Sequence, residues 1–266
     1  MFTTLISPND LAGELSTFRI LDCRAALGDP EYGKRVHAEG HIEGALHADL
    51  QRDLAGAPGT GGRHPLPDAE ALCATFRRWG INDDDQIVVY DDAGGAFAAR
   101  AWWLARWLGH PAVALLDGGL ATWPGTLITD LQHPTPGDFT RRPALTQTVQ
   151  ASDVLANIGQ FTLIDARAQV RFDGVEEPID PVAGHIPTAH CRPFQGNLDA
   201  SGRFLDATAL GKRFRGLGTN PVCYCGSGVT AAHNVLAMRV AGWPEPALYP
   251  GSWSEWIVDP ERPIES

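Results

Sequence analysis

Short apolar runs punctuate the chain at residues 18–22, 87–90 and 113–116, and again at 161–165, 221–224 and 246–249. Each is bounded by Gly, Pro, Asp or Asn within a few residues and is too short for a helix, which predicts buried strands. Between them, residues 68–79, 96–108, 206–215 and 229–241 carry helical patterns. Asp68 and Asp206 stand where a side-chain oxygen would cap the first of the orphan backbone N–H groups. Strands that alternate with helices predict an α/β fold, a mainly parallel sheet flanked by helices on both faces. In such sheets functional sites gather at the carboxyl ends of the strands.

The pattern occurs twice. Ile20-Leu21-Asp22-Cys23-Arg24 returns as Leu163-Ile164-Asp165-Ala166-Arg167, and Gly40-His41-Ile42 returns as Gly184-His185-Ile186. Ile87-Val88-Val89-Tyr90 is answered by Pro221-Val222-Cys223-Tyr224, and Asp117-Gly118-Gly119 with Trp123 by Pro250-Gly251-Ser252 with Trp256. Four matches in one order mean two copies of one fold. The copies are expected over 1–130 and 148–266, with a linker at 131–147 inside a stretch rich in Pro, Thr and Gln. Arg24 and Arg167 hold equivalent repeat positions, which predicts a structural ion pair for both.

A net charge of −11 excludes a general binder of nucleic acid or of anionic membrane, since both need a positive surface. No run approaches the roughly 20 apolar residues of a membrane span, and the first residues lack a secretory pattern. The five cysteines are odd in number and scattered, which predicts free thiols in a reducing cytoplasm. No Cys/His spacing suggests zinc, and no metal or organic cofactor is implied.

The copies differ at one chemically informative place. After Tyr90 the chain continues Asp91-Asp92-Ala93-Gly94-Gly95; after Tyr224 it continues Cys225-Gly226-Ser227-Gly228-Val229-Thr230. In both, a strand gives way to a glycine-rich turn and a helix. Such a turn can aim successive N–H groups inward as an anion nest, to which the helix N-terminus adds positive potential. A cysteine opening that nest is favoured as the thiolate, the form a sulfur nucleophile requires. Asp91 cannot act so, and the first copy is expected to be silent. Cys223 lies inside a strand and reads as a small core residue, as do Cys23, Cys73 and Cys191. A phosphatase loop would need Arg where Ala231 stands.

The doubled pattern, the DxR and GHI segments, the Gly251-Ser252-Trp253-Ser254-Glu255-Trp256 ending and the Cys225–Thr230 loop resemble tandem rhodanese-type sulfurtransferases, over essentially the whole chain. The loop itself is similar to that of 3-mercaptopyruvate sulfurtransferases; thiosulfate-preferring members carry basic residues at the positions of Gly226 and Ser227. The resemblance implies two rhodanese-like domains, the second active. It implies that Cys225 takes a sulfane sulfur from a small anionic donor, 3-mercaptopyruvate first and thiosulfate second. The persulfide then passes sulfur to a thiol, cyanide or a thioredoxin-type acceptor. It assigns Ser227 and His64 to catalysis, and Arg171, Gly226, Gly228, Val229 and Thr230 to donor binding. His64 belongs to the first copy's sequence. Asp49 matches a family carboxylate, but its usual companion is replaced by Gln51, which leaves Asp53 as a weaker substitute. A second arginine downstream of Arg171 is missing, and Glu176-Glu177-Pro178-Ile179-Asp180 stands there instead, so Arg192 is the weaker candidate for the lost charge. The competing class is a persulfide carrier or regulatory module that does not turn over.

Overall fold

The computed structural model describes residues 1–266, which divide into two compact units. The first comprises Met1–Gly56, Pro67–Leu145 and Ala200–Arg203. Its strands are β1 (Leu5–Ile6), β2 (Phe18–Asp22), β3 (Ala45–His47), β4 (Gln86–Tyr90) and β5 (Val113–Leu116). They form one wholly parallel sheet in the order β1-β5-β4-β2-β3. Its helices are α1 (Pro8–Gly13), α2 (Tyr32–Glu39), α3 (Ala69–Arg78) and α4 (Ala98–Trp107). Asp68 caps α3 as its sequence predicts, its carboxylate accepting the Ala71 N–H at 2.9 Å. Leu72, Cys73 and Phe76 then fall on one buried face. Helix α4 is buried on nearly every side, Trp102 and Trp103 included, which is why its apolar residues are continuous rather than periodic.

The second unit comprises Ala57–Leu66, Thr146–Asp199 and Phe204–Ser266. It holds β6 (Thr162–Asp165), β7 (His190–Cys191), β8 (Pro221–Tyr224) and β9 (Ala247–Leu248), again all parallel, in the order β7-β6-β8-β9. Its helices are α5 (Ala151–Ala156), α6 (Gln169–Phe172), α7 (Ala207–Arg213), α8 (Ala231–Val240) and α9 (Ser252–Trp256). Asp206 caps α7 through the Ala209 N–H at 2.8 Å. The order repeats that of the first sheet, and a single parallel bridge from Thr148 to Leu248 stands where β1 meets β5.

The repeated sequence segments make the same bonds in each unit. Arg24 pairs with Asp22 at 2.6 Å and donates to the Gly40 carbonyl at 2.7 Å. Arg167 pairs with Asp165 at 2.7 Å and donates to the Gly184 carbonyl at 2.7 Å. The Tyr90 hydroxyl accepts the Ile42 N–H, and the Tyr224 hydroxyl that of Ile186, both at 3.3 Å. The DxR and GHI segments are therefore the two halves of one brace at the carboxyl ends of the strands. Both arginines and both aspartates are buried, so a lone charge left by removing either partner would be costly.

The linker region also has structure. Phe139 is buried in the first unit, its ring 4.9 Å from that of Phe76. No helix is long and apolar enough to cross a membrane.

Candidate active site

Strand β8 ends at Tyr224, and the chain turns through Cys225–Thr230 into α8. The turn is possible because Gly228 adopts φ +76°, and a Cβ there would lie 2.2 Å from the Pro250 carbonyl oxygen. The loop is tied to the start of α9. The Cys225 N–H donates to Ser252 Oγ at 3.1 Å, its carbonyl accepts the Trp253 N–H at 3.0 Å, and the Gly226 carbonyl accepts the Ser254 N–H at 2.8 Å. Cys225 Sγ accepts the N–H of Gly228 at 3.1 Å and is only 2% exposed. Val229 is buried and Thr230 caps α8 with its backbone, so these two shape the loop from beneath.

The first unit shows what the same turn does without a thiol. Asp91 sends its carboxylate back into its own nest, accepting N–H groups from Ala93, Gly95, Phe97 and Ala98 at 2.8–2.9 Å. An anion built into the chain thus occupies the place an external anion would take.

Above the second unit's loop lies the segment 57–66, which belongs to that unit. Gly62 (φ +97°) approaches Gly251 and Ser254 so closely that a Cβ would lie 2.8 Å from the Gly251 carbonyl, and the Arg63 N–H donates to Ser254 Oγ at 3.0 Å. This clamp places His64 Nδ1 2.8 Å from Ser227 Oγ, with both side chains buried.

Charges gather on the same side. Arg171, 15% exposed, donates from Nε and Nη2 to Glu177 at 2.8–3.1 Å and from Nη2 to Asp180 at 3.0 Å. Arg63 donates from Nη1 to the other oxygen of Asp180. The acidic segment is therefore the frame that fixes Arg171. A Cβ on Gly226 would stand 2.9 Å from Arg63 Nη2 and 3.5–3.6 Å from the Arg171 guanidinium, so both cations overlook the loop beside Cys225. Burial disfavours the charge of Arg63, and a Cys225 thiolate favours it.

The remaining sequence candidates are engaged elsewhere. Asp49 accepts the N–H groups of Gln51 and Arg52 at 2.9 and 2.8 Å, and Asp53 accepts the Asp49 N–H at 3.0 Å and the Arg78 guanidinium at 2.9 Å, all inside the first unit. Arg192 donates to the carbonyls of Cys191 and Arg213. All five cysteines are free. Burial pushes the thiols of Cys23, Cys73 and Cys223 up, and that of Cys191 up to about 12, which keeps them protonated. No group of three or more His, Cys, Asp or Glu is arranged to hold a metal ion.

Sequence reasoning missed three contributors: Arg63, the Glu177–Asp180 frame, and Ser252. The signal for Arg63 was its place beside His64; for Ser252 it was the repeated glycine–tryptophan ending. The frame gave no signal, because an acidic run reads as a solvated face.

The rhodanese-like domain family matches the chain twice, over residues 7–125 and 150–259. A Pseudomonas aeruginosa protein with the provisional name of a 3-mercaptopyruvate sulfurtransferase is 52% identical over 98% of this chain and 97% of its own. A Mycobacterium tuberculosis protein provisionally named a thiosulfate sulfurtransferase is 41% identical over 98% and 96%. The crystal structure of an Escherichia coli 3-mercaptopyruvate sulfurtransferase superimposes with a TM-score of 0.83 at 30% identity, covering 95% of this chain and 100% of that one.

Proposed function

The chain belongs to the family of rhodanese-like domains and carries two of them, and on that premise we propose that its second unit moves sulfur from 3-mercaptopyruvate to a thiophilic acceptor, carrying it as the sulfane sulfur of a persulfide on Cys225. Sulfur transfer is the activity, and it needs a sulfur donor and an acceptor. The observation that carries the site assignment is Cys225 Sγ under the Gly228 N–H, at the mouth of a glycine turn overlooked by guanidinium groups.

In the first half-reaction the Cys225 thiolate attacks the donor sulfur. The Sγ–S bond forms, the carbon–sulfur bond breaks, and its electron pair leaves on carbon as the enolate of pyruvate. That enolate takes one proton to become pyruvate. Ser227, hydrogen-bonded to His64, is the group placed to move a proton at the donor. Arg171 binds the donor's carboxylate, a task that suits a planar guanidinium. Gly226, Gly228, Val229 and Thr230 shape the nest that receives the reacting sulfur. In the second half-reaction the acceptor attacks the outer sulfur, and the Sγ–S electron pair returns to Cys225 as thiolate. Cyanide, a small thiol or a thioredoxin-type dithiol satisfies that chemistry. No net change in the enzyme results, and no electron carrier is needed.

The donor preference rests on the loop, which carries no basic side chain of its own. A second reading, thiosulfate as donor with sulfite as leaving group, is favoured by the kinship to the Mycobacterium protein. In the proposed arrangement the first copy, residues 1–130, is silent because Asp91 fills its own nest. Residues 131–147 link it to the active copy, 148–266. Five free thiols support a reducing, cytoplasmic home.

The test is steady-state transfer by the full chain, with 3-mercaptopyruvate or thiosulfate as donor and cyanide or a dithiol as acceptor. A higher kcat/KM for 3-mercaptopyruvate is expected. A clear preference for thiosulfate supports the second reading. Inactivity with both donors, from folded protein whose Cys225 still alkylates, overturns the enzyme in favour of a carrier.

A further inference from the structure

We infer that Arg63 is the second donor-binding arginine of this site, forming with Arg171 a clamp for the carboxylate of an α-keto acid donor. The inference rests on the sulfurtransferase reading above and deepens it. It answers the absence of an arginine after Arg171, where the sequence carries Glu177 and Asp180 instead.

The two guanidiniums converge on one point. Arg63 Nη2 and Arg171 Nη1 and Nη2 all lie within 3.6 Å of the position a Cβ on Gly226 would occupy. That position is one residue from the nucleophile. The glycine keeps side-chain atoms out of the path between the loop and the two cations, and even a Cβ there would press on Arg63 Nη2. A carboxylate offers two coplanar oxygens, and two guanidinium edges can each take one of them.

Asp180 makes the pair rigid. Its two oxygens accept one donor from each arginine, Nη1 of Arg63 and Nη2 of Arg171. Asp180 is only 7% exposed, so it holds both cations from behind. Glu177 takes Nε and Nη2 of Arg171. The donors not used by those carboxylates are Nη2 of Arg63 and Nη1 of Arg171, 2.9 and 3.6 Å from the position of a Cβ on Gly226. Asp180 is thus a positioning residue, and it also offsets part of the charge of two adjacent arginines. The clamp of Gly62 and the Arg63 N–H on Ser254 fixes the backbone from which Arg63 reaches. That clamp also sets His64 on Ser227, so one short segment delivers a proton group and an anion group to the same loop.

The test uses the full chain with Arg63→Gln, Arg63→Lys and Arg171→Gln. Gln retains a donor for Asp180, and the Arg63 side chain is 29% exposed, so the fold should survive; circular dichroism checks this. The primary readout is the rate of Cys225 alkylation by iodoacetate divided by that by iodoacetamide. The two probes differ by a carboxylate, and neither depends on turnover. In Arg63→Gln the ratio should fall about tenfold, the loss of one charge-assisted hydrogen bond, and in Arg63→Lys by less. KM for 3-mercaptopyruvate should rise by a similar factor in Arg63→Gln, with kcat less affected. An unchanged ratio in Arg63→Gln, alongside a fallen ratio in Arg171→Gln, overturns the assignment. A ratio that falls in Arg63→Gln while wild type takes no sulfur from 3-mercaptopyruvate supports the clamp and overturns the donor reading instead.

Discussion

A thiol becomes a nucleophile by its surroundings, and the five cysteines of this chain separate on that ground. Four are enclosed or half-enclosed, and burial holds their thiols protonated. Cys225 is equally buried but accepts an N–H from a glycine turn at a helix start. Cys225→Ser should abolish sulfur transfer, and Cys223→Ala should retain it at a stability cost of about 1 kcal/mol, read from steady-state rates and denaturant unfolding. In the proposed mechanism the hydrogen-bonded Ser227–His64 pair acts as one unit, so Ser227→Ala and His64→Gln should each lower kcat by about 10²-fold or more. The double variant should be little worse than either single one. Fully additive losses would mean the two side chains act separately. The proposed nucleophile stood out in the sequence because the first copy supplied a contrast, Asp91 in the same turn. Arg63 was signalled only by its neighbour His64, because the pattern of residues 57–66 does not itself say that they fold with the second repeat.

At the scale of elements, one strand–turn–helix unit has been used twice with opposite results. In the first unit the turn closes on the Asp91 carboxylate through four N–H bonds. Asp91→Ala should remove that internal anion and cost about 2–4 kcal/mol, the price of leaving buried donors unmet. Chemical denaturation measures the loss, and kcat/KM of the folded variant should be unchanged. A variant as stable as wild type would mean that water or a neighbour satisfies the nest. The five strands of four or five residues (β2, β4, β5, β6 and β8) were readable from pattern, and so were the capped helices α3 and α7. Strands β1, β3 and β7 have only two or three residues, too few to show a period of two. Helix α6 has four residues and escapes for the same reason, although it carries Arg171.

For the whole molecule, the two repeats share a brace, and in the first it is acid-sensitive. Burial alone would raise the Asp22 carboxyl, but hydrogen bonds from His37 and Arg24 and the charge of Arg24 hold it at about 2. Its folded value lies below that of an unfolded Asp, so its contribution is complete above about pH 4 and disappears as pH falls towards 2. Acid should therefore remove roughly 2–3 kcal/mol through this group. The stability difference between wild type and Asp22→Asn should be constant above pH 5 and shrink below pH 4; a constant difference down to pH 2 would show that Asp22 is not depressed. The tandem family relationship was legible from four repeated segments, because the brace and the turn need the same residues in each copy. The copies part at one chemically decisive place, Asp91 against Cys225. The most direct measurement is mass spectrometry of the full chain after exposure to 3-mercaptopyruvate without acceptor. One added sulfur should sit on the peptide bearing Cys225, persist in Cys223→Ala and be discharged by cyanide. Sulfur carried on any other cysteine, or transfer that survives in Cys225→Ser, would contradict the account.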